Sequence, residues 1–182
     1  MLVGVQQKMS VSVSIIFLKR LKKTYYFEKV IYDLYYKSYK CCLVITCDDG
    51  WGEFENSCYK FTHEAKEYSV AESDCAANGA HLASIHSEEE MEFISTLQLQ
   101  HVSASGSNFW LGGERDGNNF VWNDGSEFNY ENWNRWEPND AGGDEDCIEF
   151  YSVPGSYYHN KWNDIPCDAT DRVTGYVCKK DK

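Results

Sequence analysis

Apolar side chains recur at two different periods between residues 58 and 178, and the changes of period divide that stretch into strands and helices. Cys58-Tyr59-Lys60-Phe61 alternates as a half-buried strand does, and the polar run from Glu53 to Cys58 reads as a turn. Ser69 with Glu72 predicts a capping box, opening a helix that carries Ala71, Cys75 and Ala76 and stops near Gly79. Ser87 with Glu90 predicts a second box, after which Met91, Ile94 and Leu97 return at helical spacing. Past Ser103-Ala104-Ser105-Gly106 the period shortens again. Phe109 to Gly112 and Phe120 to Trp122 read as strands, followed by the turn signal Asn123-Asp124-Gly125. Strands return at Cys147 to Tyr151 and at Gly175 to Cys178.

The stretch from Gly125 to Glu145 fits neither period. It is rich in aromatics, Asn, Gly and acids, and a loop of that length in a compact domain is usually functional or disordered. Tyr130, Trp133 and Trp136 can anchor it on a core. It carries Glu137-Pro138-Asn139-Asp140 and then Glu145-Asp146-Cys147, and a second cluster follows at Trp162-Asn163-Asp164. These side chains offer hard oxygen, with no His or thiolate in the spacing that zinc needs. Carboxylate and amide oxygens suit Ca²⁺, which takes roughly six to eight ligands in a flexible geometry and can keep a face open for an outside ligand. The loop is therefore expected to be ordered with Ca²⁺ and mobile without it.

Charge divides the chain. Of its 17 Lys/Arg and 29 Asp/Glu, residues 1–46 hold eight and two, leaving nine and 27, a net of −18, for the remainder. So acidic a domain repels phosphate backbones, which disfavours nucleic acid as a partner. Cys47, Cys58, Cys75, Cys147, Cys167 and Cys178 lie scattered with no C-x-x-C spacing, against a zinc ribbon or a thioredoxin-like site. Such a set reads as a disulfide framework of an oxidising, extracellular compartment, with fifteen connectivities open to six partners. Residues 1–46 form a basic, Tyr-rich segment read as an atypical leader or a mis-assigned start. Its apolar run Met9 to Leu18 is shorter than the ~18 residues of a membrane span, and Lys19-Arg20 and Lys22-Lys23 stand where a signal cleavage site belongs. Cys41 and Cys42 are candidates for a disulfide-linked oligomer, for lipidation, or for no role.

From Cys47 to Cys178 the ordered set of motifs resembles a C-type lectin domain of the mannose type, in the long form with an N-terminal hairpin. The matching elements are Cys58-Tyr59-Lys60-Phe61, Cys75, Ala80-His81-Leu82-Ala83-Ser84-Ile85, Trp110-Leu111-Gly112-Gly113, Glu137-Pro138-Asn139, Glu145-Asp146-Cys147, Trp162-Asn163-Asp164 and Cys178. The resemblance implies an α+β double-loop fold with two helices and two small antiparallel sheets. It implies bridges Cys47–Cys58, Cys75–Cys178 and Cys147–Cys167, and a cis Glu137–Pro138 bond. It also implies a Ca²⁺ held by Glu137, Asn139, Glu145, Asn163 and Asp164, with the Asp164 carbonyl adding another oxygen. A second ion site would draw on Asp116, Asp140, Glu145 and Asp146, although Arg115 brings a positive charge beside it.

The same resemblance implies how sugar is read. Two vicinal hydroxyls each give a lone pair to Ca²⁺, donate to Glu137 or Glu145, and accept from the amides of Asn139 or Asn163. In the family the Glu-Pro-Asn order goes with mannose, glucose, N-acetylglucosamine or fucose, and Gln-Pro-Asp goes with galactose. Glycans with terminal mannose-type sugars are thus the expected partners, and secretion the expected setting. A protein ligand bound with Ca²⁺ but without sugar is the alternative, and ice a more distant one. An acidic surface loop without metal is the bland reading of the five ligands. Trp162 is expected in the core, while Trp136 is balanced between core and sugar platform. The insertion from Tyr151 to His159 reads as a surface hairpin. Glu137 and Glu145 are poorly suited to acid–base catalysis, because a bound cation favours the ionised form of both. No Ser-His or Cys-His nucleophile stands out, so the chain is not read as an enzyme.

Overall fold

The computed structural model describes residues 46–101 and 107–182, apart from the side chains of residues 100 and 101. Cys41, Cys42, the Met9 to Leu18 run and the tyrosine-rich stretch lie outside them. The order is β1 (Gly52–Phe54), β2 (Ser57–Thr62), α1 (Tyr68–Ala76), β3 (His81–Leu82), α2 (Glu88–His101), β4 (Ser107–Asp116), β5 (Asn119–Trp122), β6 (Cys147–Ser152), β7 (Trp162–Ile165) and β8 (Gly175–Asp181).

Helix α2 begins as its sequence signal predicts. Ser87 Oγ accepts the Glu90 N–H at 3.0 Å. The Glu90 carboxylate reaches back one residue beyond the box, to the His86 N–H at 2.6 Å, and also takes Lys179 Nζ at 2.6 Å. Glu88, Glu89 and Glu90 in the first turn favour the positive end of the helix dipole. Met91, Ile94 and Leu97 fall on its buried face.

Helix α1 starts differently. Its N-cap is Glu67, without a side-chain cap, so Ser69 lies inside the first turn rather than at its entrance. Tertiary contacts fix this start. The Tyr68 N–H donates to the Cys167 carbonyl at 2.9 Å, and the Tyr68 ring packs edge-on to Trp110 at 5.6 Å. Glu72, freed from capping, accepts the Leu82 N–H at 2.8 Å and pairs with His81.

The strands form two antiparallel groups, β1-β2-β8-β3 and β5-β4-β6-β7, joined by a short parallel pairing of β4 with β8 at Phe109↔Gly175 and Trp110↔Tyr176. The result is one mixed sheet path rather than two separate sheets, because the ten-residue β4 is long enough to serve both groups. At Gly112 a β-carbon would stand 2.2 Å from the Leu82 carbonyl oxygen, so glycine lets β4 pass flush against β3. The short β1 occupies part of the run expected as a turn, and β7 is an added strand.

Among the described residues three disulfides close the fold: Cys47–Cys58 across the N-terminal hairpin, Cys75–Cys178 from α1 to β8, and Cys147–Cys167 from β6 to the segment after β7. Two apolar clusters meet at β4. One is built from Tyr59, the α2 face, Trp122, Phe150 and Trp162, the other from α1, Trp110, Ile165 and Tyr176. Tyr130 and Trp133 stack edge-on to buried Trp162 at 5.6 and 5.7 Å and pin the start of the long loop. Trp136 does not join them: it is 78% exposed.

Candidate calcium and sugar site

The long loop and β7 bring the first acidic cluster against the second. The Glu137–Pro138 bond is cis. Across it the Asn139 side-chain amide donates to the Glu137 carboxylate. The loop is then tied to β7 through Asp164, whose Oδ1 accepts the Asn139 N–H at 3.0 Å and whose Oδ2 accepts the Asp140 N–H at 2.9 Å. Glu145 folds back on the same turn, with Oε2 accepting the Ala141 N–H at 2.7 Å while its own N–H donates to Asp140 Oδ1 at 3.2 Å. These bonds give a Gly-containing segment, with Gly142 and Gly143 at φ +92° and +82°, a defined path.

Strand alternation separates the two neighbours on β7. Asp164 turns toward the loop, whereas Asn163 faces Glu149 across the β6–β7 pairing and donates to its Oε1 at 3.0 Å. Glu149 is fully buried and also takes Asn108 Nδ2 at 2.9 Å and Arg172 Nη2 at 3.4 Å. Arg172 lies 3.8 Å from Glu145 as well. None of Glu149, Asn108 and Arg172 was singled out from the sequence. The available signal was a lone carboxylate inside the apolar run Cys147-Ile148-Glu149-Phe150-Tyr151, which a buried strand tolerates only when the acid is hydrogen-bonded.

Of the expected members of a second ion site, Asp140 and Glu145 meet in one turn, and Asp116 stands apart from them. Asp116 ends β4 opposite Asn119 in the β4–β5 hairpin and is exposed. Its neighbour Arg115 lies instead among the oxygens, donating from Nη2 to Asp164 Oδ2 at 2.6 Å and to the Glu145 carbonyl at 2.8 Å, with Nε 3.1 Å from Asp146 Oδ1.

The electrostatics of the main cluster favour a cation. Burial pushes the Glu137 carboxyl above the ordinary carboxylate range, and the nearby Asp164 and Glu145 push it further. Burial likewise raises Glu149, against the opposing bonds from Asn163, Arg172 and Asn108. Among the described residues no three His, Cys, Asp or Glu side chains gather closely enough to hold a metal by themselves. Any cage here depends on the amide oxygens of Asn139 and Asn163 and on backbone carbonyls. That donor set is the hard-oxygen mixture that suits Ca²⁺. Among the described residues, clefts of about 550, 380 and 330 Å³ lie elsewhere and are lined by other side chains.

Three disulfides, a mixed sheet and an oxygen-lined loop beside a short strand define a recognition domain. Residues 64–180 match the family model of the lectin C-type domain. The chain belongs to the C-type lectin family, whose domain is a non-enzymatic binding module. The lactose-binding lectin l-2 of Anguilla japonica is 40% identical over 128 residues, 67% of this chain and 72% of that protein. The cow CD23 carbohydrate-recognition domain, solved with a GlcNAc2Man3 oligosaccharide, is 32% identical at a TM-score of 0.64, covering 75% of this chain and 97% of that one. A calcium-independent type II antifreeze protein is 28% identical at a TM-score of 0.62, covering 75% and 95%. Some matched relatives are longer, the match spanning 62% of one and 42% of another. Among the described residues no helix is long and apolar enough to cross a membrane.

Proposed function

We propose that residues 47–182 form a Ca²⁺-dependent carbohydrate-recognition domain with mannose-type preference, working outside the cell. The carrying observation is the meeting of Glu137, Asn139, Glu145 and Asp164 around one turn, where burial and then the charges of Asp164 and Glu145 raise the Glu137 carboxyl. These four and Asn163 would hold the ion, and Ca²⁺ when bound supplies open coordination positions for two vicinal hydroxyls. The chain's own side chains supply the rest. Glu137 and Glu145 accept hydroxyl protons, while Asn139 and Asn163 offer N–H groups. The mannose-type order Glu137-Pro138-Asn139 supports the preference, and the CD23 domain solved in the presence of a mannose-containing oligosaccharide is consistent with it. The lactose-binding relative marks the competing sugar class. Three disulfides support secretion. One such site binds a single sugar weakly, so useful avidity requires clustering.

Retention on immobilised mannose with Ca²⁺, and release by chelator or by acid, is the expected result. Retention that survives chelator overturns the calcium-dependent reading. The exposed aromatic side chains Trp136, Tyr157 and Tyr158 favour a second reading, a protein ligand, since aromatics are enriched at interfaces. A glycan array without binding, alongside Ca²⁺-dependent capture of a protein, would select it.

A further inference from the structure

We propose that Arg115 is a tethered cation that takes the place of a second metal ion beneath the candidate sugar site and positions Asp164 for the first. This rests on the reading that the 137–164 cluster holds one Ca²⁺. Arg115 sits near the end of β4, paired with Phe120 across the hairpin, and its guanidinium lies 4.5 Å from the Phe120 ring centroid. Its side chain is only 16% exposed. One planar group therefore ties three segments together. Nη2 and Nε donate to the Glu145 carbonyl at 2.8 and 3.2 Å, Nε lies 3.1 Å from Asp146 Oδ1, and Nη2 reaches Asp164 Oδ2 at 2.6 Å. The backbone agrees, since the Arg115 N–H donates to the Asp146 carbonyl at 2.8 Å.

Two carboxylates and a backbone carbonyl are the kind of oxygens that a hard cation would collect. Here a fixed positive charge already collects them, and a divalent ion in the same place would meet like charge at contact distance. Asp116, the acid that sequence order offers in exchange, stands on the exposed end of the hairpin. The second-ion residues therefore do not fit a metal.

The same guanidinium acts on the first ion's ligand. Asp164 is fully buried, and its Oδ2 is occupied by Arg115 and by the Asp140 N–H. Oδ1 accepts the Asn139 N–H, and the Glu137 carboxyl stands close to the same carboxylate. A carboxylate has about four lone-pair sites, so one direction on Oδ1 is left to face an ion. Arg115 thus leaves that oxygen aimed while holding the other. It is a positioning residue, comparable to the outer partners that orient metal ligands elsewhere and whose loss costs about 10–100-fold in metal affinity.

The test joins calcium titration calorimetry to amide hydrogen exchange, on the whole chain with its disulfides formed. Wild type is expected to take up one Ca²⁺ per chain and, in chelator, to protect the Asn139 and Asp140 amides. Arg115→Met keeps the stem over Phe120 but should weaken calcium binding at least tenfold and speed exchange at those two amides, leaving Ala83 and Gly112 slow. Arg115→Lys, which restores the charge without the fork, should recover part of the affinity and guards against a variant that fails to fold. Two ions in wild type overturn the proposal, as do unchanged exchange and calcium affinity in Arg115→Met. Wild type without calcium uptake sinks the calcium-dependent reading and the replacement of a second ion together, whereas one bound ion with no sugar retention sinks the sugar reading and leaves Arg115 in its role.

Discussion

Asn163 donates its side-chain amide to Glu149 Oε1 at 3.0 Å, directly across the β6–β7 pair. Glu149 has no solvent exposure, so this bond belongs to a buried network that also includes Asn108 and Arg172. It fixes which way the Asn163 amide points, an orientation assigned from its bonding partner. With one N–H on Glu149, the carbonyl oxygen and the second N–H are the groups that the proposed ion and a sugar hydroxyl would use. A strand that shapes the core thus also sets the polarity of the candidate site.

Asn163→Asp should therefore be costly before any ligand is considered. It removes a donor to a buried carboxylate and places a second carboxylate beside it, against burial that already raises Glu149. Leaving a buried charge short of a partner and adding like charge costs on the order of 3 kcal/mol. Urea unfolding in chelator at pH 7 measures it. A loss below about 1 kcal/mol would show that Arg172 and Asn108 satisfy Glu149 unaided.

The double variant Glu137→Gln/Asn139→Asp should leave the loop intact and change the sugar. In the wild type the Asn139 amide donates to the Glu137 carboxylate, and the exchange only reverses the direction of that bond. Facing the sugar, however, a donor becomes an acceptor and the reverse. Each mispaired group at a desolvated contact costs about 1–3 kcal/mol, so the mannose-to-galactose affinity ratio should fall at least tenfold. Competition on a mannose column by the two free sugars reads it. An unchanged ratio places selectivity outside these two residues.

The sequence was most legible where one local rule governed. Helix α2 announced itself through Ser87, Glu90 and the Met91, Ile94, Leu97 face, and all three apolar residues are in the core. It was less legible where a distant contact decides. Ser69 failed as a cap because Cys167 and Trp110 hold Tyr68 at the helix start. Strand β7 was hidden because Asn163 and Asp164 carry no strand preference and gain their pairing from β6. The order of the site motifs could be read along the chain. The role of Arg115 could not, since it depends on residues 30 and 49 positions away.

Trp136 holds a backbone conformation that favours glycine. The Glu137 N–H donates to the Asn134 carbonyl at 3.1 Å, and within that turn Trp136 has φ +75°. Its indole, 78% exposed, touches the Arg135 guanidinium at 4.7 Å and does not enter the core. Trp136→Gly and Trp136→Ala both delete the ring and differ by one β-carbon in the left-handed region. The glycine variant should be the more stable by about 1 kcal/mol, the left-handed penalty less the extra freedom of glycine in the unfolded chain. Equal urea midpoints would mean that the turn relaxes once the indole is gone.

His159 gives the metal-free fold an acid-sensitive contact. Its Nε2 meets Ser95 Oγ at 3.0 Å, joining the segment before β7 to α2, and its Nδ1 is buried without a partner. Burial pushes its pKa below the ordinary 6.5, so the folded state prefers the neutral ring. The sign follows: this contribution to stability is whole above pH 6.5, declines as pH falls below it, and is gone once pH has passed the depressed folded pKa. The ring should half-titrate below 6.5 by NMR in chelator. His159→Gln should flatten the dependence of the urea midpoint on pH between 5 and 7. A half-titration point at or above 6.5, or an unaltered slope in the variant, rejects this account. The variant also separates two causes of acid release from mannose: if His159→Gln releases at the same pH as wild type, protonation of the site carboxylates is sufficient and loosening of the segment before β7 plays no part.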